Sequence, residues 1–112
     1  LGTGWPEPRA GDAGKLHPGA DDNASGVAVL LEVAKVLKEA GAPRRTIVFA
    51  AVSAEESGML GSKHYVEHPV RPLDGIRAVV NIDSVGRLGS APVGVIGGST
   101  ASEWVHVFRG IG

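Results

Sequence analysis

The chain has 112 residues, 43% of them hydrophobic and 21% charged, the make-up of one small globular domain and not of a disordered or fibrous polymer. Eleven Lys and Arg against twelve Asp and Glu give a formal charge of −1, so there is no basic surface to neutralise a run of phosphates, which argues against nucleic acid as a partner. The absence of Cys excludes disulfides, thiolate metal sites and a cysteine nucleophile, and leaves the compartment open.

Residues 1 to 20 carry Gly2, Gly4, Pro6, Pro8, Gly11, Gly14, Pro18 and Gly19 without an apolar period, and read as an irregular loop. The chain starts at Leu1 with no basic stretch followed by an apolar run, so no signal peptide is expected and the sequence reads as an excised or processed piece. From Ser25 to Ala40 the string SGVAVLLEVAKVLKEA places Val27, Leu30, Leu31, Ala34 and Leu37 on one stripe and Val29, Val33, Val36 and Ala40 on another. Only Glu32, Lys35, Lys38 and Glu39 are left for solvent, which predicts a mostly buried helix. Asn23 or Ser25 can cap its start, and Gly41 with Pro43 supplies the stop.

Thr46 to Ser53 (TIVFAAVS) is a continuous apolar, β-rich run, the pattern of a strand covered on both faces. The longest apolar stretch, Thr46 to Ala54, is far shorter than the roughly 20 residues of a membrane helix, so no bilayer span is expected. Met59 to Glu67 suits a short helix ending before His68-Pro69, because a residue preceding Pro is pushed out of the helical region. Ile76 to Asp83 (IRAVVNID) repeats the strand pattern, and Val93 to Ile96 is a weaker strand. Ser102 to Arg109 suits a helix with Trp104, Val105 and Phe108 on its buried side. This order predicts one α/β unit over residues 1–112, a three-layer α/β/α arrangement with a mostly parallel central sheet, incomplete in this chain.

In open α/β sheets, sites form beyond the carboxyl ends of the strands. Glu55 and Glu56 follow the first predicted strand, Asp83 ends the second, and Asp21 and Asp22 enter the long helix. Parallel neighbouring strands would bring these carboxylates to one crevice, where they repel one another unless a cation compensates them; zinc accepts such oxygen ligands. Each acid also has a plain reading as a turn, cap or first-turn residue, and it is their coincidence at one edge that suggests a metal site. His17, His64, His68 and His106 show no HExxH or HxH spacing and are assigned to no metal. No nucleophile elbow and no phosphate-binding loop is present.

The strings GADDNASG (Gly19 to Gly26), AEESGMLGS (Ala54 to Ser62) and NIDSVG (Asn81 to Gly86), in this order, resemble the co-catalytic zinc aminopeptidases, a family that includes bacterial leucyl aminopeptidases and, as a relative, the transferrin receptor ectodomain. The resemblance covers roughly residues 17 to 90. It implies two zinc ions bridged by Asp21, with Asp22 following through an unusual cis peptide and contacting a metal-binding His. It further implies Glu55 as general base, Glu56 as ligand of one zinc and Asp83 as ligand of the other. The implied reaction is release of the N-terminal residue from a peptide with a free amino end. A secreted or periplasmic location is expected from the family alone.

Against the family pattern, one His ligand expected just upstream of Leu1-Gly2 and another expected beyond residue 112 are missing. The ligand set is therefore incomplete, and the piece by itself is expected to be inactive. Ala54 stands where many members have Gly. Missing flanking strands would leave sheet edges exposed for self-association. Three other readings remain open at this point: a non-catalytic receptor or scaffold relative of the same fold, a glutaminyl-cyclase-like enzyme with a single zinc, and a plain α/β binding domain.

Overall fold

The computed structural model describes residues 11–87, 89–90 and 92–109. The expected N-terminal loop is irregular over residues 11–19, and its first ten residues lie outside the described ones. A wide turn, Ala20–Ser25, then leads into helix α1, Gly26–Glu39. The turn is closed by a hydrogen bond from the Ala24 amide to the Gly19 carbonyl at 3.0 Å, but Asp22 (φ −108°, ψ 95°) and Asn23 (φ −134°, ψ 40°) depart from helical geometry inside it. Helix α1 starts where the capping signals place it: the Gly26 amide donates to Asn23 Oδ1 at 3.0 Å. It stops at Gly41, whose φ of 100° suits a left-handed residue just past a helix end.

Helix α2, Leu60–Glu67, and helix α3, Glu103–Arg109, form where the local pattern predicts them, with a single 3₁₀ turn at Leu73–Gly75 between. His68-Pro69 ends α2, and the His64 ring stacks on His68 with centroids 4.5 Å apart. In α3, Trp104 is half-buried, its Nε1–H donates to Thr100 Oγ1 at 3.2 Å, and its ring lies 6.0 Å from that of Phe108.

The central sheet is not formed. Apart from an isolated bridging residue at His17, no described residue lies in a strand, and Thr46–Ser53, Ile76–Asp83 and Val93–Ile96 are without ladder partners. The predicted three-layer α/β/α arrangement is thereby corrected to helices joined by unpaired segments. The physical reason lies in what an apolar run encodes. Side-chain pattern reports a preference for a pleated, covered surface, whereas a strand exists only when a second backbone runs about 4.8 Å away and takes up its N–H and C=O groups.

Burial changes in step. Helix α1, predicted mostly buried, exposes Leu31 at 62% and Val36 at 52%, and Gly26 is its one buried residue. On α3, Val105 and Phe108 are likewise exposed rather than covered. The radius of gyration is 16.7 Å, against about 13 Å for a packed chain of this length. The accessible surface is 9740 Å², where a packed protein of this mass shows roughly 5,800 Å². No helix among the described residues is long and apolar enough to cross a membrane.

Between the unpaired run ending at Ser53 and helix α2 the backbone is nevertheless tightly organised. Successive amides fold back on the turn: Met59 N–H to Glu55 O at 2.7 Å, Leu60 N–H to Ala54 O at 3.1 Å and Gly61 N–H to Ser53 O at 3.0 Å. A Cβ on Gly61 would lie 2.4 Å from the Ser53 carbonyl oxygen and 2.7 Å from its nitrogen, so only glycine allows this closure. Ala54 is held at φ 56°, the left-handed region that a Cβ disfavours, which explains why glycine suits this position. Two opposite outcomes are expected in urea unfolding: Gly61→Ala destabilises by about 1–3 kcal/mol through overpacking, and Ala54→Gly is neutral or stabilises by up to about 1 kcal/mol.

Candidate functional site

Two acidic segments far apart in sequence are drawn together by a network of short polar side chains. The Asn23 carboxamide lies across the backbone that carries Asp83: its Nδ2 donates to the Ile82 carbonyl at 2.9 Å and its Oδ1 accepts from the Ser84 amide at 3.3 Å. The peptide groups on either side of Asp83 are thus held by one side chain. Ser25 Oγ donates to the Asp21 carbonyl at 2.6 Å and accepts from the Val85 amide at 3.1 Å. Asp21 Oδ1 accepts from the Gly86 amide at 2.8 Å. Four hydrogen bonds therefore clasp Asp21–Ser25 to Ile82–Gly86. A net contribution of about 0.5–1.5 kcal/mol for a neutral bond is an upper guide for partly exposed ones such as these.

Two glycines allow the close approach. A Cβ on Gly26 would sit 2.4 Å from the Ile82 carbonyl oxygen and 2.4 Å from Asn23 Oδ1, and one on Gly86 would sit 2.8 Å from Ser25 Cβ and 3.1 Å from Asp21 Oδ1. This is the reason that Gly26 is buried in a helix whose other residues are half-buried, as Leu30, Ala34 and Leu37 are, or exposed. Ser84, immediately after Asp83, takes φ 51°, and its Oγ donates to Asp83 Oδ1 at 3.3 Å.

The clasp gives the acidic residues different surroundings. Asp21 is half-buried and its carboxylate is engaged by Gly86, whereas Asp22 is exposed and its carboxylate takes no hydrogen bond from the described residues. A cis peptide bond joins Asp22 to Asn23, one residue later than the resemblance implies. Asp83 is exposed beside the clasp. Glu55 and Glu56 lie exposed on the turn before α2. Among the described residues no three His, Asp or Glu side chains come together in a group able to hold a metal ion, so the crevice shared by all the acids is not assembled here. The donor chemistry itself suits zinc, with carboxylate oxygens, and among the described residues neither ion pair, Lys15–Asp12 nor Lys35–Glu32, involves a candidate acid.

The sequence reading singled out the acids and missed what holds them. By pattern alone Asn23 is a helix cap, Ser25 an alternative cap, and Gly86 no more than the last residue of the third string. The available signal is that GADDNASG and NIDSVG both end in a glycine with a serine one or two residues before it, small residues that let backbones meet closely. Gly26→Ala is expected to break the clasp, because the new Cβ meets backbone, at about 1–3 kcal/mol. Gly86→Ala should cost less, since its nearest atoms belong to side chains. Amide exchange at Ser84 and Gly86 followed by NMR ranks the two.

Peptidase family M28 matches residues 7–112. Over 76 residues the chain is 45% identical to aminopeptidase YwaD of Bacillus subtilis (strain 168), a stretch amounting to 67% of this chain and 16% of that protein. Over 69 residues it is 42% identical to a probable zinc metalloprotease of Pyrenophora tritici-repentis (strain Pt-1C-BFP), covering 62% of this chain and 16% of the relative. A probable zinc metalloprotease of Leptosphaeria maculans is 38% identical over the same share of this chain. The chain thus spans about a sixth of the length of the curated relatives it matches. No solved structure matches it. With the match running across nearly its whole length, the chain belongs to peptidase family M28.

Proposed function

We propose that this chain supplies the acidic part of a zinc-dependent aminopeptidase site, acting on peptides with a free N-terminus. The observation that carries the reading is the clasp, which ties the Asp21-Asp22 turn to the Asp83 segment within a chain of peptidase family M28. Glu55 is the general base: it takes a proton from the attacking water and passes it to the leaving amine. Asp22, Glu56 and Asp83 are the residues that would hold zinc, two ions in a complete set. When bound, zinc supplies Lewis acidity, making water a stronger acid and polarising a carbonyl.

In this proposal the ligand role that the resemblance puts on Asp21 passes to Asp22, and Asp21 braces the turn. The hydrogen bond from Gly86 to Asp21 Oδ1 supports this division, since it occupies one carboxylate of the pair and leaves the other facing solvent. The catalytic reading is favoured over a receptor-like one by the relatives the chain matches, which are named as an aminopeptidase and as probable zinc metalloproteases.

Zinc titration by calorimetry, with folding of each variant checked by circular dichroism, tests the assignments. Asp22→Asn, Glu56→Gln and Asp83→Asn should each weaken zinc binding more than tenfold, whereas Asp21→Asn, which keeps an acceptor for Gly86, should stay within a few-fold. Equal losses in Asp21→Asn and Asp22→Asn would return the ligand role to Asp21. Glu55→Gln should leave zinc affinity unchanged, as expected of a base that is not a ligand, whereas a loss equal to that of Glu56→Gln would make Glu55 a ligand instead.

A further inference from the structure

We propose that Asn23 is a positioning residue for two of the candidate zinc ligands: its carboxamide fixes the backbone on both sides of Asp83 and so sets the spacing between Asp22 and Asp83. The inference rests on the zinc reading above and adds a residue to which that reading gives no part.

Geometry carries it. A primary carboxamide presents one donor and one acceptor side by side, the same pair that a peptide group presents to a neighbouring strand. Asn23 uses both on the two peptide groups that flank a single residue, Asp83: Nδ2 to Ile82 O at 2.9 Å and Oδ1 to the Ser84 amide at 3.3 Å. Oδ1 also takes the Gly26 amide at 3.0 Å, which locks the same side chain to the start of α1. The residue before Asn23 in the chain is Asp22. One side chain therefore links the backbone of one candidate ligand to that of the other across 61 positions of sequence. No ordinary side chain repeats this pattern. Asp keeps the acceptor and loses the donor, placing a negative oxygen against the Ile82 carbonyl; Ala loses both; Gln keeps both groups but sets them one methylene further out.

Ser25 provides an internal comparison. Its hydroxyl joins Asp21 O to the Val85 amide, two residues beyond Asp83, so it supports the clasp without touching the peptide groups next to that ligand.

The test compares Asn23→Asp, Asn23→Ala, Ser25→Ala and Ser25→Thr with the unaltered chain. The probes are Zn²⁺ alone by calorimetry, Co²⁺ alone by its visible d–d absorption, and amide exchange at Ser84, Val85 and Gly86. The proposal expects Asn23→Asp to weaken Zn²⁺ binding at least tenfold and to alter the Co²⁺ band. Helix content should be retained, and Ser25→Thr should bind as the unaltered chain does. Variants that lose amide protection but keep Zn²⁺ affinity and an unchanged Co²⁺ band would show that Asn23 only supports the fold, and would overturn the positioning role. Amides that exchange freely in the unaltered chain would overturn the clasp itself. Protected amides in a chain that binds neither metal would instead reject the zinc reading, and the positioning role with it.

Discussion

One carboxamide laid across the two peptide groups around Asp83 is the contact on which the organisation of this molecule depends. Among the described residues, the hydrogen bonds that join segments about sixty residues apart all lie in the clasp that Asn23 begins, and the one buried residue, Gly26, is buried because that clasp needs two backbones to meet. A hydrophobic core is absent among the described residues, so long-range order here is specified by polar groups and glycine, not by apolar packing. Such order is geometrically strict. Each donor in the clasp has one acceptor within reach, whereas apolar surfaces slide over one another at little cost.

The exposed apolar surface follows from the same arrangement. Ile47, Val48, Phe49 and Val52 before the Glu55-Glu56 turn, and Val79 and Val80 before Asp83, are between 41% and 74% exposed, although their composition is that of covered strands. Glu55, Glu56 and Asp83 thus stand at the end of an apolar run and next to a glycine-dependent turn, whereas Asp21 and Asp22 follow an irregular loop. At Ser53–Gly61 the turn is closed by backbone hydrogen bonds alone; at Asp83 it is closed by side chains borrowed from the Asp21–Ser25 loop. The two closures differ in what a mutation can reach: the first is open to change only through glycine and backbone conformation, the second through Asn23 and Ser25 as well.

What the sequence made legible was whatever is local. The start and stop of α1 follow from Asn23 or Ser25 and from Gly41, and the stop of α2 from His68-Pro69; the three helices are found within a residue or two of the expected places. Family membership was legible because three short strings in fixed order are specific, and the match over residues 7–112 bears it out. The sheet was misread because β-rich composition is a property of one segment and pairing is a property of two. Asn23 was undervalued for the opposite reason: a cap is a local role that fits it well, since the Gly26 amide does donate to it, and nothing in a single sequence shows that the same oxygen also meets Ser84. The acids were recognised as a set, but the split between an engaged Asp21 and a solvent-facing Asp22 needed the position of Gly86.

The account stands on the contact between the Asn23 side chain and the Ile82–Ser84 backbone, and NMR measures that contact directly. In a nuclear Overhauser spectrum of the labelled chain, the Asn23 side-chain amide protons and the Gly26 α protons should show cross-peaks to backbone protons of Ile82, Asp83 and Ser84. A spectrum in which helix α1 is formed, yet only sequential and intrahelical cross-peaks appear for Asn23 and Gly26, would contradict it.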